Sequence, residues 1–219
     1  MITRKQFLKG IYGTDSAVLT SPYGAPRPNG RIHVGEDADD ITGDHPRLYA
    51  PYNCIVTHVR NDLADDRGKF LEIKIGTWFI IMQHDFEIRV RDGQRIEAGS
   101  LLGLQGGSGK TISQYRSHLH YEFAKYPYGD PRRKAINPVL YFYPFFTPPK
   151  YPVRTVVVSG LRIRAGHYLE SEIISRAIRK PYTIYETVTQ DGYVWGRIDW
   201  EKDQWIALKS TDGRKVFAK

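Results

Sequence analysis

Short apolar runs separated by turn residues occupy most of this chain, and they constrain its fold more than any other feature. Helical periodicity is confined to one short segment, Thr3–Tyr12, and Asp62–Lys69 is a charged hairpin loop. The gaps between the runs are too short for the crossover helices of alternating β and α units, so the sequence predicts an all-β fold. The predicted strands of the first part of the chain are Cys54–Val59, Phe70–Ile75, Trp78–Gln83, Leu101–Leu104 and His118–Phe123.

The composition changes after residue 140 and predicts a second domain. Residues 141–152 hold four prolines and six aromatic residues. The aromatic residues are expected to pack against one domain or the other, so the segment is predicted to be a short semi-rigid linker. The domain boundaries are therefore predicted as 1–140, a linker at 141–152, and 153–219. The predicted strands of the last part are Thr155–Val158, Leu161–Ile163, Ile173–Ala177, Thr183–Gln190, Tyr193–Asp199 and Gln204–Leu208.

Charge and composition exclude several classes of function. The net charge of +8 is divided into +4 in residues 1–150 and +4 in 151–219, without a dense basic cluster. This distribution argues against a nucleic-acid partner. The sequence has no run of 18 apolar residues, so no membrane span is predicted. The basic N-terminal segment Met1–Gly10 lacks the apolar core of a secretory signal peptide. The single cysteine, Cys54, excludes an internal disulfide and is expected to be buried and inert.

Two histidines one residue apart, His118 and His120, are the first candidate functional group. Side chains alternate along a strand, so both histidines would project from one face. Such a pair suits a metal site in which one imidazole binds the ion and the other handles a proton. Two surface or core-edge histidines remain the alternative.

A second candidate group lies about 85 residues upstream, at His33, Gly35 and Asp37. The surrounding prolines and glycines oppose a helix, and in an extended chain the three residues share one face. Zinc accepts histidine nitrogen and aspartate oxygen, and catalytic zinc sites keep three protein ligands with one open position. A polar loop with a solvated acidic run is the alternative for this segment alone.

The order of further motifs over residues 20–140 resembles the lysostaphin-type zinc endopeptidases, which are peptidoglycan hydrolases. That family has the pattern His-x-x-x-Asp, a middle histidine (here His84), and His-x-His. The other matching elements are Ser21-Pro22-Tyr23-Gly24, Tyr49-Ala50-Pro51 with Val56, the Gly-Gln-x-Ile-x-Ala-Gly-x-x-Leu-Gly run at 93–103, the Gly-x-Ser-Gly that precedes His-Leu-His, and Asn137-Pro138.

The resemblance implies an antiparallel β-sheet groove and a defined set of roles. His33, Asp37 and His120 would hold Zn²⁺, His118 would be the general base, and His84 would polarise or protonate the developing oxyanion. The sequence departs from the family pattern at Cys54, at Met82 and in the basic segment Ile112–Arg116, and none of these departures removes a ligand. An active enzyme is therefore expected. Glu122 shares the strand face of the two histidines and is either a partner of a ligand or a polar strand end.

The last part of the chain resembles the bacterial SH3-like wall-binding domains, through Leu161–Gly166 and Asp191–Ile198. Its aromatic residues could form a binding groove for peptide stems or the core of a small barrel. The core is the favoured interpretation for Trp195 and Trp205, whereas Tyr182 and Tyr185 are candidate substrate-binding residues. For Trp200, both the binding groove and the barrel core stay open.

The leading hypothesis is a two-domain, monomeric peptidoglycan endopeptidase that lyses the bacterial wall. The absence of a recognisable leader favours a phage endolysin made in the host cytoplasm and released, over a bacterial enzyme whose leader is removed. A catalytically inactive peptidoglycan-binding or hydrolase-regulating protein is the alternative, and an unrelated basic binding module is a third. The bond that is cut, in the stem peptide or in the cross-bridge, stays open.

Overall fold

The computed structural model describes the backbone of residues 1–219 and all side chains except that of Asn29. The chain divides into two compact units, Met1–Pro149 and Lys150–Lys219, so the division falls inside the predicted linker. All pairs of named strands are antiparallel, which confirms the predicted all-β fold. No helix among the described residues has the length and apolar character needed to span a membrane.

The first unit is built on a seven-stranded sheet in the order β1-β2-β10-β6-β5-β4-β8, with a smaller sheet in the order β3-β9-β7. The ten strands are β1 Val18–Ser21, β2 Glu36–Asp39, β3 Arg47–Tyr49, β4 Cys54–Arg60, β5 Lys69–Ile75, β6 Trp78–Asp85, β7 Glu87–Ile88, β8 Arg95–Ile96, β9 Leu101–Leu104 and β10 Leu119–Ala124. A short 3₁₀ turn lies at Pro28–Gly30. The predicted strands of this unit agree with the observed ones to within two residues, and β4 and β5 flank the predicted hairpin loop.

One helix, α1 (Arg4–Tyr12), covers a face of the large sheet. Thr3 caps its first turn in a capping box with Gln6, and Gly13 ends it in the left-handed conformation at φ 72°. The buried ring of Phe7 packs on Tyr121 and on other aromatic side chains of the same core. Because side chains alternate along β10, this packing directs the even-numbered residues of the strand to the opposite face of the sheet.

Part of the predicted linker belongs to the core of the first unit. Phe142, Tyr143 and Phe146 are buried there, and a second short helix, α2 (Pro138–Tyr141), leads into them under an Asn137 cap. The sequence did not predict this helix. The aromatic residues lie inside because each removes a large apolar surface from water, which a solvent-exposed linker would not do.

The second unit contains a five-stranded sheet in the order β13-β12-β17-β16-β15 and a two-stranded sheet, β11-β14. Its strands are β11 Val153–Thr155, β12 Arg162–Arg164, β13 Ile173–Arg176, β14 Pro181–Thr183, β15 Glu186–Gln190, β16 Tyr193–Arg197 and β17 Trp205–Ser210. The prediction of one strand at Thr183–Gln190 was wrong, because the chain changes its pairing partner from β11 to β16 around Ile184. The predicted strand Thr155–Val158 likewise lies earlier, at β11.

Candidate metal centre

Strand pairing brings the two distant histidine motifs together. His120 on β10 lies directly opposite Asp37 on β2, and His33 precedes β2 in an extended segment. Side chains opposite each other on one face of an antiparallel pair have Cβ atoms about 5 Å apart. The structure therefore places the three predicted metal ligands on one face of the large sheet, away from α1.

The three candidate ligand atoms form a nearly equilateral triangle. His33 Nε2 lies 2.9 Å from His120 Nδ1 and 3.0 Å from Asp37 Oδ1, and His120 Nδ1 lies 2.9 Å from Asp37 Oδ1. All three residues are buried, and together they form a group able to hold a metal ion. Tetrahedral ligation at about 2.0–2.2 Å requires donor atoms about 3.4 Å apart, only slightly wider than the observed spacing. Two imidazole nitrogens and one carboxylate oxygen are also a donor set that zinc accepts.

Hydrogen bonds behind the two ligand histidines turn the correct nitrogen toward the centre. His33 Nδ1 donates to the main-chain oxygen of Pro22 at 3.0 Å, which leaves its Nε2 lone pair on the ligand side. His120 is oriented the opposite way, with Nε2 3.5 Å from Glu122 Oε1 and Nδ1 facing the centre. Such outer contacts fix the tautomer of a metal-binding histidine. Glu122 is thus positioned as a partner of His120 rather than as an unattached strand end.

Two carboxylates at the centre are held in the ionised form, and each has an arginine partner. Burial opposes ionisation of Asp37, but hydrogen bonds with His120 and His33 outweigh it and hold the pKa of this carboxyl below its usual range. Arg27 Nη2 donates to the other carboxylate oxygen of Asp37 at 2.6 Å. The pKa of Glu122 is lowered to about 2, against the effect of burial, by His120 and Arg133. Two ionised carboxylates therefore flank the imidazoles, and the arginine partners offset their charge. The type and spacing of the donor atoms, rather than a net negative charge, suit this centre to a metal ion.

His84 and His118 lie beside the three ligands. Their ring centroids are 4.8 Å apart, and His118 Nε2 is 3.8 Å from Asp37 Oδ1. His84 Nδ1 donates to the main-chain oxygen of Ser108 at 2.7 Å, and His118 Nδ1 donates to that of Arg116 at 2.8 Å. Burial and the neighbouring His118 lower the pKa of His84 to about 4. The structure thus brings together all five site residues predicted for the first domain.

Gly35 is required by the close approach of β10. A Cβ atom at this position would lie 2.6 Å from His120 Cε1, from His120 Nε2 and from the main-chain oxygen of Tyr121. A contact under 3.0 Å would force a neighbour to shift, and a shift is costly here because the main-chain oxygen belongs to the paired strand β10. The glycine between His33 and Asp37 therefore makes room for the third ligand.

A cavity of about 310 Å³ adjoins the candidate centre. It is lined by Thr20, Ser21, Asp37, Asp39, Ile41, Arg116, Ser117 and His118. Arg27 and Tyr115, whose ring packs 4.7 Å from that of His84, were not predicted as site residues. Tyr115 lies in the segment Ile112–Arg116, which the sequence marked only as basic and unfamiliar, and no motif in the sequence indicated its contact with His84.

The predicted binding tyrosines lie in the second unit. Tyr182 is half-buried against the core of that unit, and its hydroxyl accepts a hydrogen bond from the main-chain nitrogen of Ile178 at 3.2 Å. The ring of Tyr185 packs against Tyr151 and Trp200. Trp195 and Trp205 are buried, as predicted. No finding tests the role of Tyr182 and Tyr185, which stays a prediction.

Comparison with known families matches residues 31–138 to the model of peptidase family M23. This part of the chain, just under half of its length, resembles an M23 peptidase domain. Peptidases of this family depend on zinc and hydrolyse peptidoglycan. The matched residues include all three candidate ligands and both additional histidines. The predicted resemblance to lysostaphin-type peptidases is confirmed at the level of this domain.

Solved structures similar to this chain include three peptidases. The catalytic domain of the prophage-encoded M23 protein EnpA from Enterococcus faecalis is 29% identical, with 57% of this chain and 91% of that chain covered and a TM-score of 0.47. A zinc-containing peptidase from Vibrio cholerae is 26% identical over 48% of this chain and 32% of its own, with a TM-score of 0.41. Lysostaphin from Staphylococcus simulans is 13% identical over 100% of this chain and 97% of its own, with a TM-score of 0.48. No curated protein matched the chain.

Proposed function

We propose that the first unit is a zinc endopeptidase that hydrolyses an amide bond in the stem peptide or cross-bridge of bacterial peptidoglycan. The observation that carries this proposal is the convergence of His33 Nε2, Asp37 Oδ1 and His120 Nδ1, with two further histidines beside them, inside an M23 domain. These three atoms would hold the metal. Zinc bound there would act as a Lewis acid on the scissile carbonyl and would acidify the attacking water.

His118 is suited to act as the general base. Its Nδ1 donates to the main-chain oxygen of Arg116, so in the neutral ring the lone pair is on Nε2, the nitrogen that is near Asp37. The side chain is 22% exposed, about twice the value of His120, and it lines the adjoining cavity. It is thus placed to receive a proton at Nε2 from the attacking water and to pass it to the leaving amine.

His84 has a more restricted role in the same proposal. Because Nδ1 already donates to Ser108, His84 can donate from Nε2 only when both ring nitrogens are protonated. Burial makes that form costly in the resting protein, as the pKa of about 4 indicates. An oxyanion that develops beside the ring would offset this cost. We therefore propose that His84 takes up a second proton from solvent as the oxyanion develops, donates to the oxyanion from Nε2, and returns that proton to solvent when the amide bond breaks.

We also propose that the second unit holds the enzyme on the wall, through Tyr182 and Tyr185 among other contacts, and that the protein acts as a monomeric phage endolysin with no membrane or nucleic-acid partner. The separate core of this unit and the diffuse positive charge of the chain support an attachment role. Attraction to anionic wall polymers would weaken as salt screens it.

Digestion of purified peptidoglycan tests the enzymatic proposal. Walls of several cross-bridge types would be incubated with the zinc-loaded protein, with and without a chelator, and the released fragments analysed by mass spectrometry. A new amine and a new carboxyl end that appear only without chelator would support the peptidase and identify its bond. If a zinc-loaded sample bound the walls and released no fragment from any of them, the peptidase proposal would be wrong.

A further inference from the structure

The five-stranded sheet of the second unit has a face directed away from the core cluster. Ile206 and Leu208 of β17 belong to that cluster, so Ala207 between them points to the other face. Trp195 of β16 lies opposite Ala207 in the strand register and shares its face. On β12, Ile163 likewise packs in the cluster while Arg164 lines the other side.

A cavity of about 380 Å³ lies over this second face. Its walls are mainly apolar or aromatic, and we call it the Arg164 cavity after its most buried charged residue. Among its lining residues are Leu169, Tyr193, Trp195, Ala207 and Phe217. Its volume falls within the range of about 300–1,000 Å³ that is typical of small-ligand sites.

The charge in this cavity is not balanced. Arg164 is only 6% exposed, and its one hydrogen bond goes from Nη1 to the main-chain oxygen of Ser171 at 2.7 Å. Among the described side chains it forms no ion pair. A second cation, the exposed Arg162, also lines the cavity, and none of the 11 lining residues is acidic. A buried guanidinium normally has an anionic partner, because an unpaired buried charge is costly.

We propose that the Arg164 cavity binds the C-terminal carboxylate of a short peptide with small apolar residues. The planar fork of the guanidinium matches a carboxylate, and the apolar walls would cover the adjoining side chains. A phosphate-bearing polymer would instead require a row of exposed cations. This inference rests on the proposed wall-attachment role, since stem peptides of peptidoglycan present free carboxyl ends.

Titration of the full chain with two forms of one peptide tests the proposal. The probe is an N-acetylated tripeptide that ends in D-Ala-D-Ala, as the free acid and as the C-terminal amide. Metal is removed first, so that neither cleavage nor binding at the metal centre contributes. Binding is followed by NMR through the indole N–H of Trp195. We expect the amide to bind at least about tenfold more weakly, because it lacks the charge-assisted hydrogen bonds to Arg164.

Variants of the protein locate the site. Arg164→Gln removes the charge, and Ala207→Leu fills the cavity while keeping the arginine. Both should weaken binding of the acid at least about tenfold, whereas Arg154→Gln, an exposed arginine on β11, should leave it unchanged. If Arg164→Gln failed to fold, Ala207→Leu would still decide the question.

A parallel sedimentation assay with intact walls separates the two proposals. Equal affinity for acid and amide, together with wall binding, would overturn the carboxylate site and leave the attachment role standing. Selective binding of the acid without wall binding would support the site and contradict the attachment role. Binding of neither probe would overturn the carboxylate site.

Discussion

His118 and His120 stand one residue apart, yet their surroundings differ. His120 directs Nδ1 to the other two candidate ligands and Nε2 to Glu122, whereas His118 Nε2 faces the cavity side of Asp37. We expect His120→Ala to lose both zinc and cleavage. His118→Ala should keep zinc and lose about 10²–10⁴-fold in kcat, the usual contribution of a general base. Zinc content by plasma mass spectrometry and turnover on soluble wall peptides measure the two effects. Near-normal turnover of His118→Ala would refute the base assignment.

The second prediction at the residue scale concerns the substitution of Gly35. Gly35→Ala adds a methyl group 2.6 Å from the His120 ring and from a main-chain oxygen of β10, so either the ligand or the strand must move. We expect zinc affinity to fall at least tenfold in a protein that still folds, measured by competition with a chromogenic chelator. Gly43→Ala is the matched control, because its added Cβ would have no atom within 4 Å. Equal zinc affinities for the two variants would contradict the packing argument.

At the scale of elements, Glu122 of β10 makes several polar contacts behind the metal centre. Glu122 accepts hydrogen bonds from Gln83 Nε2 at 3.0 Å and from Arg133 Nη1 at 2.9 Å, and its Oε1 lies 3.5 Å from His120 Nε2. These contacts link strand β10 to β6 and to the loop that follows β10. They fix the ring of His120 from behind.

Glu122→Gln should weaken this support. The amide removes the negative charge that faces His120 and leaves one of the two donors without an acceptor. Loss of such an outer partner lowers metal affinity about 10–100-fold, and we expect a change of that size in a zinc competition assay. Asp92→Asn, an exposed carboxylate on a turn far along the chain, serves as the control. The assignment of Glu122 as a partner of His120 fails if both variants bind zinc like the parent protein.

The sequence predicted five of the ten strands of the first unit, because alternation and turn residues are local signals. It missed five strands of two to four residues, among them β2, which carries Asp37. It also predicted which residues would meet at the centre, through the order of its motifs. It did not predict α2, and it left open which domain Phe142 and Phe146 pack against, since proline-rich aromatic segments are equally compatible with a linker. Nor could it predict that His84 adopts a φ of 69°, because the contact with Ser108 joins segments 24 residues apart.

At the scale of the whole molecule, the three candidate ligands belong to one of the two units. His33, Asp37 and His120 all lie in Met1–Pro149, and the two units have distinct cores. Zinc at 100 times its Kd should stabilise the first unit by about 2.7 kcal/mol. We therefore expect a chelator to lower the melting temperature of that unit alone. Calorimetry would measure the shift in melting temperature, and hydrogen exchange would show which unit unfolds in that transition. If the chelator also reduced protection from exchange in residues 150–219, the expectation that only the first unit is destabilised would be wrong.

The histidines of the first unit also differ in what holds their protons in place. His33, His84 and His118 each donate Nδ1 to a main-chain oxygen, those of Pro22, Ser108 and Arg116 respectively. A main-chain acceptor persists whatever side chain its residue carries, so point substitutions at these three positions cannot delete it. Only the contact between His120 and Glu122 depends on a replaceable carboxylate. Changes of the side chains at these three acceptor positions should therefore leave the tautomers of His33, His84 and His118 unchanged.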